Sequence, residues 1–428
     1  MCIRDSWMPD HLSLQGKSNI IAAAHYHPEH ELFADVLVSI PDGFHLMVTD
    51  REEPFQFAAS KFQFSLDKSG LVTQLDLPAN ELANLSLRIN LPGWNALKGF
   101  YATQPLSGQV KASLASLAHL NGVFLDLPLL TGSVDTDLRL DGTIGEPLII
   151  GASVLKHASA DIPALGIKLS DIDLQAQSKT GNQVVYRLSA RSSEAKPLTL
   201  TGRTIMEPTS GWPTSLNIQA DNFQLVNLPD IKMHISPQLD IDIQGRDVSL
   251  TGQITVPQAL FRPRTLPRTS VSTSNDVVFI GETESPLVEE RWNISSRVRL
   301  ILGDNVYFDG FGLRGEINGN LLLIDEPGKL TLGQGEIKIT EGTYKAYGQD
   351  AKIRRGRLIF ANTVIDDPAI DLEAVREVDT VTAGVRVTGT LKQPELSLFS
   401  EPAMSESDVA SYFLLGRPME TGEDSEGQ

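Results

Sequence analysis

Cysteine is nearly absent from this sequence, and basic residues are outnumbered by acidic ones. The one cysteine, Cys2, has no second thiol with which to form an internal disulfide, and this usage suits an oxidising compartment. The chain carries 36 lysines and arginines against 54 aspartates and glutamates, which gives a net charge of −18. Because phosphate backbones repel a polyanion of this size, the composition excludes nucleic-acid binding.

Long apolar runs are also missing. The longest clean ones, residues 20–24 and 321–324, are far shorter than the roughly 18 residues that a membrane-spanning helix needs. The chain begins in the middle of a strand-like pattern. Residues 1–6 (MCIRDS) do not resemble the rest of the chain, so we interpret them as a scar, a short non-native segment. We expect the chain to be a fragment whose membrane anchor lies upstream.

Catalytic motifs are not evident either. The sequence has no G-x-S-x-G elbow, no P-loop and no cysteine–histidine nucleophile pair, so we predict that the protein is not an enzyme and uses no cofactor. Residues 310–315 (GFGLRG) match a dinucleotide-binding motif, but strand-like sequence comes next instead of a helix, and we interpret the motif as a turn. An enzyme on a β-solenoid, such as a polysaccharide lyase, would need a cleft with clustered charged residues, which we do not find.

Two groups of polar residues could suggest metal binding. His25, His27 and His30, with Glu29 and Glu31, have ligand types that zinc uses, but a proline interrupts the strand between them, and we predict a solvated loop. Three acidic pairs fall on the polar phase of alternating segments. A solvated sheet face explains them more simply than a calcium or catalytic site does. These pairs are Asp135 and Asp137, Asp171 and Asp173, and Asp240 and Asp242. We therefore predict no metal site.

Apolar and polar residues alternate strictly along most of the chain. Residues 172–177 (IDLQAQ) and 239–244 (LDIDIQ) are examples of roughly twenty such segments, which glycine, proline, asparagine and aspartate separate. Period two places all aliphatic side chains of a strand on one face. With few helices to cover that face, we predict an all-β fold, an elongated and curled multi-stranded sheet (a trough) with an apolar interior.

The aliphatic phase defines the candidate functional residues. Periodicity alone leaves open whether this face is a dry core or a groove that accepts a ligand. We define the predicted inward set as the aliphatic residues Ile172, Leu174, Leu198, Leu200, Leu216, Ile218, Leu239, Ile241, Ile243, Leu250, Ile254, Leu300, Leu321, Leu323, Ile337, Ile339, Val385, Val387, Leu396 and Leu398.

Helix signals are confined to two places. Residues 110–120 carry leucines at helical spacing and predict a short amphipathic turn or two. Residues 405–415 predict a better helix, because Ser405 can cap its first turn and Gly416 can end it. The acidic tail beyond Arg417 is predicted to be disordered.

Several motifs together resemble one known family. They are residues 303–313 (GDNVYFDGFGL), 341–348 (EGTYKAYG), 355–360 (RGRLIF), 374–376 (AVR), 383–389 (AGVRVTG), 398–402 (LFSEP) and 411–416 (SYFLLG), with a supporting match at 270–280 (SVSTSNDVVFI). As a set they closely resemble the C-terminal domain of the TamB family, which belongs with the AsmA-like bridge proteins. The resemblance covers roughly residues 105–419.

The resemblance implies a location and a role that the spacing of residues in the sequence does not show. TamB-like proteins are anchored in the inner membrane by an N-terminal helix and cross the periplasm. They work with TamA, an outer-membrane barrel, in outer-membrane protein and autotransporter assembly, and are proposed to carry phospholipid between membranes along a taco-like β-sheet. The expected partners are therefore a TamA-like barrel, outer-membrane protein clients and phospholipid acyl chains. The alternative is a structural, adhesin-like β-solenoid with a dry core and no transport role.

We expect four segments. Residues 1–6 are the scar, 7–104 an upstream part of the trough, 105–400 the TamB-like trough domain, and 401–428 a short helix with the acidic tail. An open sheet edge can add a strand from a partner through main-chain hydrogen bonds. We predict such a partner edge at Glu395, Leu396, Ser397, Leu398, Phe399 and Ser400.

Overall fold

A computed structural model gives the structure of the chain. It describes residues 12–27, 31–48, 54–79, 83–120, 130–192, 196–263, 292–346 and 349–418. Across these ranges the chain forms twenty-five β-strands and one α-helix, so the all-β prediction is confirmed. The scar, the 270–280 motif and the acidic tail beyond residue 418 lie outside the described residues. The chain divides into two compact units.

The first unit comprises Met1–Phe223 and Asp240–Gly245. Its strands β2, β3 and β6–β15 pair antiparallel in that order, and β1, β4 and β5 form a separate three-stranded sheet. The strands are β1 (Leu12–Gly16), β2 (Asn19–His27), β3 (Glu31–Ile40), β4 (Phe44–Val48), β5 (Phe55–Phe57), β6 (Ser60–Asp67), β7 (Gly70–Ala79), β8 (Ala83–Pro92), β9 (Ser107–Leu114), β10 (Leu130–Gly142), β11 (Pro147–Ile162), β12 (Ile167–Ser178), β13 (Gln183–Arg191), β14 (Leu198–Ile205) and β15 (Thr214–Gln219).

The second unit comprises Gln224–Leu239 and Arg246–Gln428. From β18 to β25 each strand pairs with the next, antiparallel except for the parallel pair β18–β19. Its elements are β16 (Phe223–Asn227), β17 (Ile231–Gln244), β18 (Asp247–Phe261), β19 (Asn293–Gly310), β20 (Leu313–Asp325), β21 (Leu332–Ala346), β22 (Gln349–Val364), β23 (Ala369–Val378), β24 (Val381–Gly389), β25 (Pro394–Glu401) and α1 (Glu406–Leu415). The last residues of β17, from Asp240 on, belong to the first unit.

Strand register aligns the aliphatic phase into rows that cross many strands. In the first unit, Leu155, Leu174, Leu188, Leu200 and Ile218 lie opposite one another in turn on β11 to β15. Because residues directly opposite each other share a sheet face, the row is one continuous aliphatic line.

The second unit repeats this arrangement. Ile254, Leu300, Leu321, Gly335 and Phe360 succeed one another across β18 to β22. Gly335 leaves space in this row, and its positive φ of 140° places it in a backbone region that side chains avoid. The predicted single apolar face is therefore present in each unit.

The 310–315 motif is a hairpin turn as predicted, because β19 ends at Gly310 and β20 begins at Leu313 opposite it. The helix predicted over residues 110–120 is wrong for its first half. Those residues belong to β9, where Val110 pairs opposite Leu138, and only Leu117–Leu120 form a 3-10 turn. Tertiary pairing overrides the helical spacing there.

The loop predicted around the histidines is also partly wrong. His25 and His27 lie in β2, where they pair opposite Phe33 and Glu31, while residues 28–30 lie outside the described residues. Within the described ranges, no group of three or more histidine, cysteine, aspartate or glutamate side chains could hold a metal ion.

Candidate apolar groove and strand edge

Most of the predicted inward set is only half-buried. Of the twenty side chains, Leu321 is buried at 3% exposure and Leu396 is exposed at 68%, and all the others lie between buried and exposed. A side chain in a closed core is covered completely, as Val306 is at 0%. The sheet pairs these side chains with one another but leaves part of their surface exposed.

The register brings some of the set together and separates others. Leu174, Leu200 and Ile218 stand in one cross-strand row of the first unit, and Val385 and Val387 lie opposite Leu398 and Leu396. Others have small or polar neighbours. Ile172 lies opposite Ala158 beside an irregular step in the β11–β12 pairing, and Leu250 lies opposite Ser296. The aliphatic face is thus continuous in rows but interrupted at these points.

The opposite phase is polar, as the acidic pairs predicted. Asn217 Nδ2 donates to Asp240 Oδ1 at 2.8 Å, and Ser215 Oγ donates to Asp242 Oδ1 at 2.8 Å. Gln109 Nε2 donates to Asp137 Oδ1 at 3.1 Å. Each of these carboxylates is satisfied by a neighbour on the solvated face, which confirms the polar-face interpretation.

Elements outside the strand pattern cover the aliphatic face locally, and the alternation in the sequence does not predict this. In the first unit, Trp94 and Ala96, from the segment between β8 and β9, pack against the buried cluster of Leu66, Leu71 and Leu91. Gln104 in the same segment is fully buried and donates through Nε2 to the carbonyl of Pro92 at 2.8 Å. The signal in the sequence that could have indicated this cover is Trp94, a large apolar residue outside the alternating segments.

Helix α1 covers the aliphatic face in the second unit. Phe413 packs against the cluster of Ala351, Ile353 and Ala374, which are 5%, 7% and 2% exposed. The Ser405 hydroxyl accepts from the Asp408 backbone N–H, and Gly416 ends the helix with a φ of 71°. The predicted helix and both of its caps are confirmed, but its position on the aliphatic face was not predicted.

The face of β22–β24 opposite the aliphatic side chains, which we call the outer face, carries a charge cluster around Glu373. The sequence did not reveal this cluster. The Glu373 side chain is only 6% exposed and accepts from Arg355 Nη2 at 3.0 Å, Arg386 Nη2 at 3.0 Å and Arg354 Nη1 at 3.3 Å. Burial by itself raises the pKa of Glu373, but hydrogen bonds from Arg386 and Arg355 outweigh it and hold the pKa below its usual value. Glu373 therefore stays ionised and fixes the arginines.

The predicted partner edge is strand β25. It pairs along its full length with β24, from Gly389 opposite Pro394 to Thr382 opposite Glu401, and it has no other strand partner within the described ranges. Glu395, Leu396 and Ser397 are exposed. The Phe399 ring lies under the Arg386 guanidinium, 5.2 Å from it. An unpaired strand edge offers backbone groups to a further strand.

The described residues contain no helix long and apolar enough to cross a membrane.

Comparison with known proteins agrees with the motifs. The family model for the TamB C-terminal domain matches residues 186–428, more than half of the chain, and that for the TamB N-terminal domain matches residues 3–155. The latter match begins inside the segment that we interpreted as a scar. The chain is similar to the translocation and assembly module subunit TamB of Haemophilus influenzae, with 27% identity over 406 residues. The alignment covers 86% of this chain but 31% of that protein. This chain belongs to the TamB family.

Proposed function

We propose that the chain is part of a non-enzymatic component of the translocation and assembly module that carries phospholipid between the inner and outer membranes. The observation that carries the proposal is the half-buried aliphatic face, which the sheet aligns in rows and leaves partly exposed. The family membership supports the module. In this function the chain works with a TamA-like outer-membrane barrel in outer-membrane protein and autotransporter assembly.

The energetic reason for such a face is the cost of exposing acyl chains to water. Burying a CH₂ group is worth about 0.8 kcal/mol, so a chain of about sixteen carbons faces a cost on the order of 12 kcal/mol in the periplasm. Aliphatic side chains along each row remove most of that cost and need no catalytic group. We propose a matching location, in which the chain lies in the periplasm and is held in the inner membrane by an N-terminal helix.

The same face suggests a sharp experiment on β17. Ile241 belongs to the predicted inward set, whereas the neighbouring Asp242 bonds to Ser215 on the polar face. A photo-crosslinking amino acid at each position in turn, in cells, should capture phospholipid from position 241 and not from position 242. Equal labelling at both positions, or none at either, would contradict the groove.

Docking to the TamA-like barrel is proposed to use β25. Its exposed residues Glu395, Leu396 and Ser397 stand on a strand with one pairing partner among the described residues, so a strand of the barrel protein or of a client could add to it. Crosslinks from position 397 to the periplasmic region of the barrel protein are expected. Replacing Glu395 by proline, with the crosslinking residue kept at position 397, should reduce them several-fold, since proline disturbs strand pairing. Absence of crosslinks in the full-length protein would count against the edge.

A structural protein with a dry core is the second candidate, and the packing around Trp94 favours it locally. Leu66 and Leu91 are 3% and 5% exposed there, as in an ordinary core. If the whole face were closed in this way, neither position 241 nor position 242 would capture lipid. The crosslinking experiment therefore separates the two candidates.

A further inference from the structure

One charged residue interrupts the aliphatic face near its C-terminal strands. On β23, Leu372, Ala374 and Arg376 alternate on one face, and they lie opposite Val387, Val385 and Ala383 of β24 with no irregularity in the pairing. Arg376 therefore stands in the aliphatic phase. An uncompensated charge there would be costly, so its partner is informative.

One partner of Arg376 is the C-terminal end of α1. Arg376 Nη1 donates to the backbone carbonyl of Phe413 at 3.1 Å. The last carbonyls of a helix carry partial negative charge, which a guanidinium stabilises. Gly416 leaves room for this approach, because a β-carbon there would force the Arg376 guanidinium to move. Helix α1 thus presents an oxygen acceptor to Arg376 and an aromatic ring to the apolar cluster beside it.

A second polar group lies in the same cross-strand row. Arg376 is opposite Ala383, and Ala383 is opposite Ser400 of β25. The Ser400 hydroxyl is buried and has no hydrogen-bond partner among the described residues. Two strand spacings place the backbones of Arg376 and Ser400 about 10 Å apart, a gap that the long arginine side chain can partly cross. A buried hydroxyl without a partner is costly, so a ligand oxygen at this position would stabilise it by accepting its hydrogen bond.

We propose that Arg376 and Ser400 form a binding site for the phosphate of a phospholipid and that α1 covers this site as a displaceable lid. The inference rests on the proposed function. In the covered state, the Phe413 carbonyl takes the place of a phosphate oxygen, and the Phe413 ring takes the place of an acyl chain on the cluster of Ala351, Ile353 and Ala374. A guanidinium and a hydroxyl are groups that bind phosphate oxygens well.

The burial of α1 is consistent with a lid that can leave. Only Val409 and Ser411 of this ten-residue helix are buried, while Leu414 and Leu415 are 37% and 60% exposed. An isolated helix of this length is marginal in water, so its position depends on these few contacts and on Arg376. A phospholipid can replace both contacts of the helix, because its phosphate can bind Arg376 and its acyl chain can cover the apolar cluster.

The test places the probe on the lipid, which leaves the covered side chains unaltered. The purified chain is mixed with phosphatidylethanolamine vesicles containing a phospholipid with a photoreactive acyl chain, or a diacylglycerol with the same chain. After irradiation, mass spectrometry compares labelling of the β24 peptide with that of a β14 peptide. Phe413→Ala, and independently Gly416→Ala, should raise β24 labelling by the phospholipid roughly fivefold by weakening the lid. Two variants that act differently guard against misfolding of either.

The phosphate is tested by adding Arg376→Gln to each lid variant. Phospholipid labelling of β24 should fall about tenfold, the loss expected for a charge-assisted hydrogen bond, while diacylglycerol labelling stays high. Arg355→Gln, on the outer face, should change neither. Equal effects on both lipids would overturn the phosphate site. An unlabelled β24 in both lid variants, with β14 labelled, would overturn the lid and leave the groove intact, whereas an unlabelled β14 would contradict the proposed function itself.

Discussion

The aliphatic face is built from the same alternation in strands β12–β15 and in strands β22–β25, yet the two stretches differ in burial. In the first, Leu174, Leu200 and Ile218 remain half-buried along a continuous row. In the second, Ile353 and Ala374 are 7% and 2% exposed, because Phe413 of α1 packs on them. The covering segments around Trp94 and in α1 come from outside the alternating sequence.

The difference shows that strand periodicity determines which side chains share a face but not what covers that face. Alternation decides which side chains share a face, since the pleat repeats every two residues. What covers that face depends on loops and helices, whose sequences do not follow the period-two pattern. An open aliphatic row can accept a ligand, and a covered one contributes chiefly to stability, so substitutions in the two stretches should have different consequences.

The largest expected effect is on transport through an open stretch. Replacing Ile241 by aspartate adds a carboxylate to the aliphatic face, and a passing acyl chain would have to remove water from it. We expect phospholipid capture in cells at other positions of the inward set to fall about tenfold or more. Asp242→Asn, on the polar face, is the matched control and should leave capture unchanged. Equal losses in both variants would show that the two faces are not distinct.

Stability should respond most strongly where the face is covered. Leu91 is 5% exposed beneath the Trp94 segment, so Leu91→Ala leaves a cavity and should lower the free energy of unfolding by about 3 kcal/mol. Leu200→Ala removes the same atoms from a half-buried site and should cost about 1 kcal/mol. Urea unfolding of both variants measures the difference. Similar losses would mean that the row through Leu200 is as closed as the cluster under Trp94.

The outer face of β22–β24 adds a pH dependence to the covered stretch. Because the folded pKa of Glu373 lies below its usual 4.5, its ion pairs add stability that is fully present above about pH 4.5 and is lost as the pH falls through the folded pKa. Glu373→Gln should lower the free energy of unfolding by about 2 kcal/mol at neutral pH, a value reduced for the half-exposed arginines, and should flatten its acid dependence. Glu377→Gln, at an exposed position, is the control. An unchanged acid slope in Glu373→Gln would contradict this role.

The sequence predicts the strands well because each carries its own period-two signal, as the row through Leu174 and Leu200 shows. It also predicts α1, since the caps Ser405 and Gly416 are local. It does not predict the register that places Arg376 opposite Ala383, because pairing depends on partner strands. Residues 110–114 show the converse, where a helical leucine spacing lies in a strand that its neighbours determine.

The smallest expected effect concerns the cover itself. The Ser405 hydroxyl accepts from the Asp408 N–H at 3.3 Å, so Ser405→Ala removes the N-terminal cap of α1 without touching Phe413 or Arg376. Loss of such a cap costs about 1 kcal/mol, which corresponds to roughly fivefold faster hydrogen exchange within α1. Exchange in β12–β15 should not change, and Ser405→Asp, which keeps an acceptor, should restore protection. If Ser405→Ala instead left α1 exchange at the wild-type rate, the contacts of Phe413 and Arg376 alone would hold the helix on the face, and the cover would be more permanent than a displaceable lid requires.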